Sequence, residues 1–306
     1  MTAYLTDLTF QLLNGAMKLS EQRKLVLQRF FRAAQTNDGG FAGYYSKSDI
    51  YYTAFSLRGL FLLGALDDSE LLQSVSIFLE HEEKQEMRPI DLVSFLFSSA
   101  IVHMAKNTEF SAEQKNKILT RWKKFQREDG GFAVSEYTEY SSTYTTFLAA
   151  VSFEILDAEE EKQKIPVTPI LARQCSDGGF TELSLLQRSG TNPTAAAIAL
   201  LKMLGCELPN QPATINFLLN RQTPQGGFQA HTLIPTPDLL SSFTAVVALR
   251  ELNAQQQYHS ELLRNFLNEL QLQDGGYCGS LWARQSDTEY TFYGLALESL
   301  LSVPSF

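Results

Sequence analysis

Three carboxylates stand at the heads of apolar stretches: Asp238 in Pro237-Asp-Leu-Leu-Ser241, and Asp287 with Glu289 in Asp287-Thr-Glu-Tyr290. A carboxyl pair can act as general acid and base, as in glycoside hydrolysis, and Glu136 and Glu139 could join such a pair. Most loop carboxylates are simply solvated. An Asp-x-Asp-Asp run can instead make one carboxylic acid strong enough to protonate an alkene. The nearest stretch, Asp49-Ile-Tyr-Tyr52, keeps only the first Asp. The catalytic residues therefore stay open, with Asp238, Asp287, Glu289 and Tyr290 as candidates. His231, Asp238, Cys278 and Asp287 fall on comparable loops, but their spacing matches no metal-ligand pattern. No Gly-rich phosphate loop, nucleophile elbow or His-Glu-x-x-His run is present.

The elements that carry these residues come from a repeat. Gln-x-x-[Asp/Gln]-Gly-Gly-[Phe/Tyr] occurs at Gln35 to Phe41, Gln126 to Phe132, Gln174 to Phe180, Gln222 to Phe228 and Gln271 to Tyr277. Successive first glycines are 91, 48, 48 and 49 residues apart. The long interval is two periods, with a degenerate copy lacking its glycines at Glu80 to Met87, so the chain holds six units. Before each Gly-Gly runs an amphipathic helix pattern, as in the stretch opened by Ser111 and Gln114, a capping box. After it come a polar loop and a more uniformly apolar helix, as in the stretches that start at Thr53, Thr145, Thr194, Ser241 and Thr291. Such pairs predict an outer and an inner ring, an all-α (α/α)6 toroid of six helical hairpins in a single domain over 1–306. The glycines are expected to stop the outer helices in a left-handed conformation. The following aromatic should pack between hairpins, and the Gln should bond an adjacent repeat's loop.

Composition narrows the partners. A net charge of −9 and no Lys/Arg cluster speak against nucleic acid and against docking on anionic lipid. Three dispersed cysteines signal neither disulfides nor a zinc finger, and no stretch approaches the ~18 apolar residues of a membrane span. The N-terminal stretch has no secretory character, so a cytoplasmic location is expected.

The repeat resembles the motif shared by protein prenyltransferase β subunits and the squalene and oxidosqualene cyclases, along nearly the whole chain. It is most similar to the prenyltransferases, closest to the β subunit of the geranylgeranyltransferase that modifies Rab GTPases. That resemblance implies zinc held by an Asp and a Cys on the fifth inner helix and a His on the sixth. The Asp matches Asp238, but Leu240 and Tyr290 replace the other two ligands, so no metal and no cofactor is expected. The family's diphosphate-binding cations are matched by Asn192, Thr232, Pro235 and Ser241, none of them cationic. The resemblance and the aromatic inner-helix starts point to an isoprenoid or related lipid held by Ser48, Tyr51, Tyr52, Tyr144, Phe147, Asn192, Phe243 and Phe292 in an apolar cavity. Standard prenyl transfer is then in doubt. A catalytically silent interaction scaffold and an atypical terpene cyclase are the alternatives. A protein partner, or self-association in its place, is also implied.

Overall fold

The computed structural model describes residues 4–303, and fourteen α-helices with no β-strand fill that range. Six are apolar on most faces: α3 (Ile50–Leu62), α5 (Pro89–Ala105), α7 (Thr143–Ile155), α10 (Thr191–Met203), α12 (Leu239–Glu251) and α14 (Thr288–Ser302). The amphipathic set is α2 (Glu21–Ala33), α4 (Ser69–Glu82), α6 (Ala112–Lys123), α11 (Gln211–Leu219) and α13 (Ser260–Leu270), with the short pair α8 (Glu159–Gln163) and α9 (Thr168–Leu171) in the remaining place. Pro166 and Pro169 account for that break, since proline lacks the N–H that helix continuation needs. The expected capping box forms. Ser111 N donates to Gln114 Oε1 at 2.8 Å, and Gln114 N donates to Ser111 Oγ at 3.2 Å. An additional helix, α1 (Tyr4–Ala16), precedes the repeats. Its Gly15 lies so close to α14 that an added Cβ would sit 2.0 Å from the Ser299 carbonyl oxygen.

The chain divides into two compact units, one of residues 4–8 with Thr120–Glu269, the other of Thr9–Leu119 with Leu270–Val303. In the first, α10 packs between α7 and α12; in the second, α3 packs between α5 and α14.

The glycines differ from expectation. The first glycine of each pair does take a positive φ, between 79° and 99°, but it closes a tight hairpin rather than ending a helix. The Gln and the aromatic pair across that hairpin in all five copies, from Gln35 with Phe41 to Gln271 with Tyr277. The left-handed helix stops are instead at the ends of five apolar helices, at Gly64, Asn107, Asp157, Gly205 and Asn253. The reason is steric. A Cβ on Gly226 would lie 2.0 Å from the Leu262 carbonyl oxygen, so the hairpin needs glycine to approach the next helix as well as to turn. Three of the glutamines are seen to reach the next repeat, Gln222 Nε2 to the His259 carbonyl, Gln174 Nε2 to that of Pro209 and Gln35 Nε2 to Ser74 Oγ, each at 3.0 Å. The aromatics are buried, Phe41, Phe180 and Phe228 completely.

A further bond recurs in every hairpin. The N–H of the aromatic donates to a hydroxyl in the first turn of the following apolar helix: Phe41 to Thr53, Phe132 to Thr146, Phe180 to Thr194, Phe228 to Ser242 and Tyr277 to Thr291, all at 2.8–3.0 Å. In four of these the hydroxyl passes its own proton to the N-cap carbonyl, as Thr194 does to Gly190 at 2.6 Å. Thr194→Val keeps the shape and leaves a buried N–H without an acceptor, so it should cost about 1–3 kcal/mol in a denaturant titration. An unchanged midpoint would remove the relay from the account.

Candidate functional site

In the second unit the N-terminal turns of α3 and α14 bring an acid and a set of aromatic rings together. Each helix begins with an aspartate cap: Asp49 accepts from Tyr51 N at 2.7 Å, and Asp287 accepts from Tyr290 N at 2.8 Å. With the caps fixed, helical spacing puts Tyr51, Phe55 and Arg58 on one face of α3 at i, i+4 and i+7, and Glu289 and Phe292 on one face of α14. Tyr51 Oη donates to Glu289 Oε1 at 2.6 Å. The Phe55 ring packs 4.9 Å from that of Tyr51 and 5.5 Å from that of Phe292, and Tyr52 stands edge-on to Tyr51 at 5.4 Å. One turn further along α3, the Arg58 guanidinium lies 4.1, 4.6 and 5.5 Å from the ring centres of Phe292, Phe97 and Phe55. These are cation–π distances, and they connect α3, α5 and α14. Two glycines lie under the Tyr52 and Tyr290 rings. A Cβ on Gly43 would strike the Tyr52 ring at 2.3 Å and one on Gly279 the Tyr290 ring at 2.5 Å, so both phenols lie flat on backbone.

Burial dominates the electrostatics. It pushes the Glu289 carboxyl up to about 7, a rise reinforced by the charge of Asp287 and opposed by the Tyr51 hydroxyl. Asp287 is also raised by burial, against the backbone N–H groups it caps. Burial raises the Tyr52 phenol too, with help from Asp287, Glu289 and Asp49. The arrangement is a carboxyl able to hold or release a proton near neutrality, set among rings. Such a group can serve as a general acid.

The other expected residues have local duties. The Ser48 hydroxyl donates to Asp38, as Ser141, Ser189 and Ser286 do to Asp129, Asp177 and Asp274, so it is engaged in the hairpin that every intact repeat builds. In the first unit, Asp238 is the N-cap of α12; its two oxygens accept from Ser241 N and Ser241 Oγ, each at 2.7 Å, and burial raises its pKa. Asn192 Oδ1 accepts from Thr244 Oγ1 at 2.7 Å, joining α10 to α12. Tyr144 is 41% exposed at the start of α7, Phe147 packs between Tyr144 and Tyr4, and Phe243 is buried. Phe292 is also buried, and forms the wall behind Arg58 rather than an exposed surface.

The zinc that the resemblance implies does not fit these residues. Asp238 is occupied by its cap, Leu240 offers no donor, and among the described residues no three His, Cys, Asp or Glu side chains converge on a metal-sized space. A cleft of about 740 Å³ does open in the second unit, where the degenerate repeat lacks its hairpin. Ile77, His81, Glu82, Met87, Arg88 and Asp91 are among its lining residues. It reaches the head of α3, where Ser48, Asp49 and Ile50 also line it.

Sequence reading missed Phe55, Arg58, Phe97 and Tyr293, whose ring stands 5.3 Å from that of Phe55. The signal was present, since Arg58 is the one charge inside the otherwise apolar Ile50–Leu62 stretch. It also missed Glu182, a carboxyl raised by burial that bonds the Ser142 hydroxyl and the Tyr144 N–H at the head of α7.

Because the Glu289 pKa is raised in the folded chain, folding takes up a proton between pH ~4.5 and ~7, and stability falls as pH rises through that window. Glu289→Gln should flatten that slope and stabilise the protein at pH 8 by on the order of 2 kcal/mol relative to its value at pH 4, measured by urea unfolding. Tyr51→Phe removes the bond that favours the charged form, so a carboxyl-carbon NMR titration should find the Glu289 pKa higher still. A fall in that pKa would contradict the assignment.

Comparison with known proteins places the fold. The profile of the prenyltransferase alpha-alpha toroid domain matches residues 2–232 and 210–305. By sequence, no curated protein matches the chain. Among solved structures, Candida albicans protein geranylgeranyltransferase-I, complexed with GGPP, superposes with a TM-score of 0.70 at 18% identity over 90% of each chain. A variant of a type II terpene cyclase from Scytonema, in complex with geranylgeranyl dihydroxybenzoate, gives 0.61 at 14% identity over 96% of this chain and 98% of that one. An alpha-1,6-mannanase variant of Salegentibacter in complex with alpha-1,6-mannotetrose gives 0.61 at 15% identity over 92% and 98%. Identities this low speak for the fold alone, but the profile covers nearly the whole sequence: the chain belongs to the prenyltransferase alpha-alpha toroid domain family.

Proposed function

We propose that this protein, as a single domain over 1–306, binds an isoprenoid or a related lipid against the aromatic face of α3, α5 and α14, and that zinc-dependent transfer of a prenyl diphosphate is not its reaction. The observation that carries this reading is the clustering of Tyr51, Tyr52, Phe55 and Phe292 beside one neutralisable acid, with Tyr290 joined to it through the Tyr293 ring and Phe97 across Arg58. Rings offer a long apolar ligand dispersion contact and offer a diphosphate nothing. Two of the similar structures hold geranylgeranyl compounds, which supports the ligand class. At the positions matching the family's diphosphate site, Asn192 and Ser241 are engaged with neighbouring side chains, and Thr232 and Pro235 carry no charge.

A second reading makes the protein an acid catalyst on that lipid. Its support is the Glu289 carboxyl, protonated to a substantial degree at neutral pH among electron-rich rings suited to a developing cation. Burial keeps the proton on Glu289 but makes it a weaker acid than an Asp-x-Asp-Asp run provides, so on this reading the rings must lower the barrier by stabilising the cation as a polyene cyclises.

Native mass spectrometry of the purified protein incubated with geranylgeraniol tests the binding reading. One bound prenol is expected, and Tyr290→Ala should weaken it about tenfold, the loss of roughly half of one ring's buried area. Absence of any complex, or an unchanged affinity in the variant, would refute it. For the second reading, incubation in D₂O followed by gas chromatography should yield deuterated cyclic product from the wild type and none from Glu289→Gln.

A further inference from the structure

We propose that the loops of residues 183–189 and 231–237 form a docking face for the surface of a lipid bilayer containing anionic headgroups. Both loops belong to the first unit and lie side by side, since Thr191 N donates to the Ala230 carbonyl at 2.8 Å and Thr191 Oγ1 to that of Gln229 at 2.6 Å. Each presents a pair of large apolar side chains outward at the same distance from its Gly-Gly: Leu185 and Leu186, 65% and 48% exposed, and Leu233 and Ile234, 64% and 43% exposed. Water-facing clusters of this kind mark an interaction surface rather than ordinary scatter.

Neither pair is on a slack segment. Leu186 N donates to the Leu183 carbonyl at 3.0 Å, Ile234 N to that of His231 at 3.1 Å, and Leu233 N to His231 Nδ1 at 3.3 Å, so turns hold the side chains out before anything binds. Docking then costs little ordering entropy.

Charge selects the occupant. The chain carries −9, yet residues 183–189 and 231–237 contain no Asp or Glu, and their only ionisable side chains are Arg188 and His231. A face of four aliphatic side chains with one permanent cation complements the outer layer of a membrane, where apolar groups reach the acyl boundary and arginine meets phosphate. The net charge of the whole chain repels such a surface, but the loops themselves carry none of it, and the flanking Glu182 and Asp238 carboxylates are turned into bonds with Ser142 and Ser241. This inference deepens the proposed function only in naming where an apolar ligand would be collected.

Flotation of the full-length protein with vesicles of phosphatidylcholine and phosphatidylserine tests it. The wild type is expected to float, and the combined variant L185S/L186S/L233S/I234S to lose about tenfold or more of its partitioning while keeping the wild-type circular dichroism and melting temperature. Arg188→Gln should lose about fivefold on these vesicles and little on phosphatidylcholine alone. Wild type that stays in the soluble fraction overturns the proposal, as does a combined variant that floats equally well. A wild-type dimer abolished in the combined variant, with no flotation of either protein, overturns it too, and assigns the face to a second copy of the chain. The assay contains no isoprenoid, so its failure is separate from a failure of lipid binding at α3 and α14.

Discussion

The structure depends on a single repeated bond, the backbone N–H of the Gly-Gly-aromatic hairpin given to a Thr or Ser hydroxyl in the first turn of the next apolar helix. The hairpin must lie against that helix to bury its aromatic, and burying it removes the N–H from water. An unpaired buried N–H is costly, so the position one turn into the helix must carry a hydroxyl. The bond fixes where the helix begins, and hence where its N-cap stands. Asp49, Ser142, Gly190, Asp238 and Asp287 all occupy that position.

This explains why burial raises the proton affinity of Glu289 further than that of the cap aspartates. Asp238 and Asp287 direct oxygens at backbone N–H groups they must satisfy, and those bonds hold the carboxylate form against the pull of burial. Glu289 stands two residues past the cap and has no such duty. Its bond to Tyr51 is too weak an offset for the desolvation it suffers, so burial decides its proton affinity.

Much of the fold was legible because its causes are periodic. The Gly-Gly spacing showed six units, and the apolar stretches behind Thr145, Thr194 and Thr291 showed the helices now seen as α7, α10 and α14. A positive φ suits a hairpin turn as well as a helix stop, and it is the pairing of Gln222 with Phe228 and the closeness of the Leu262 carbonyl, 2.0 Å from where a Cβ on Gly226 would stand, that separate the two. The acid face was half legible. Tyr51, Tyr52, Glu289 and Tyr290 were visible as helix starts, whereas the pairing of Tyr51 with Glu289 joins residues 238 apart in the chain and no local pattern announces it. Arg58 is a single charge in an apolar helix, and no local pattern announces its role, since the three rings that hold it come from three helices.

The central claim is that this toroid keeps the apolar half of a prenyl site and not the ionic half. The measurement that tests it most directly is isothermal titration of geranylgeraniol against geranylgeranyl diphosphate in the presence of a zinc chelator. Comparable affinities, within about tenfold, are predicted, because the rings contribute to both ligands and no zinc or cation cluster favours the second. A diphosphate bound about a thousandfold more tightly, or binding abolished by the chelator, would contradict the account.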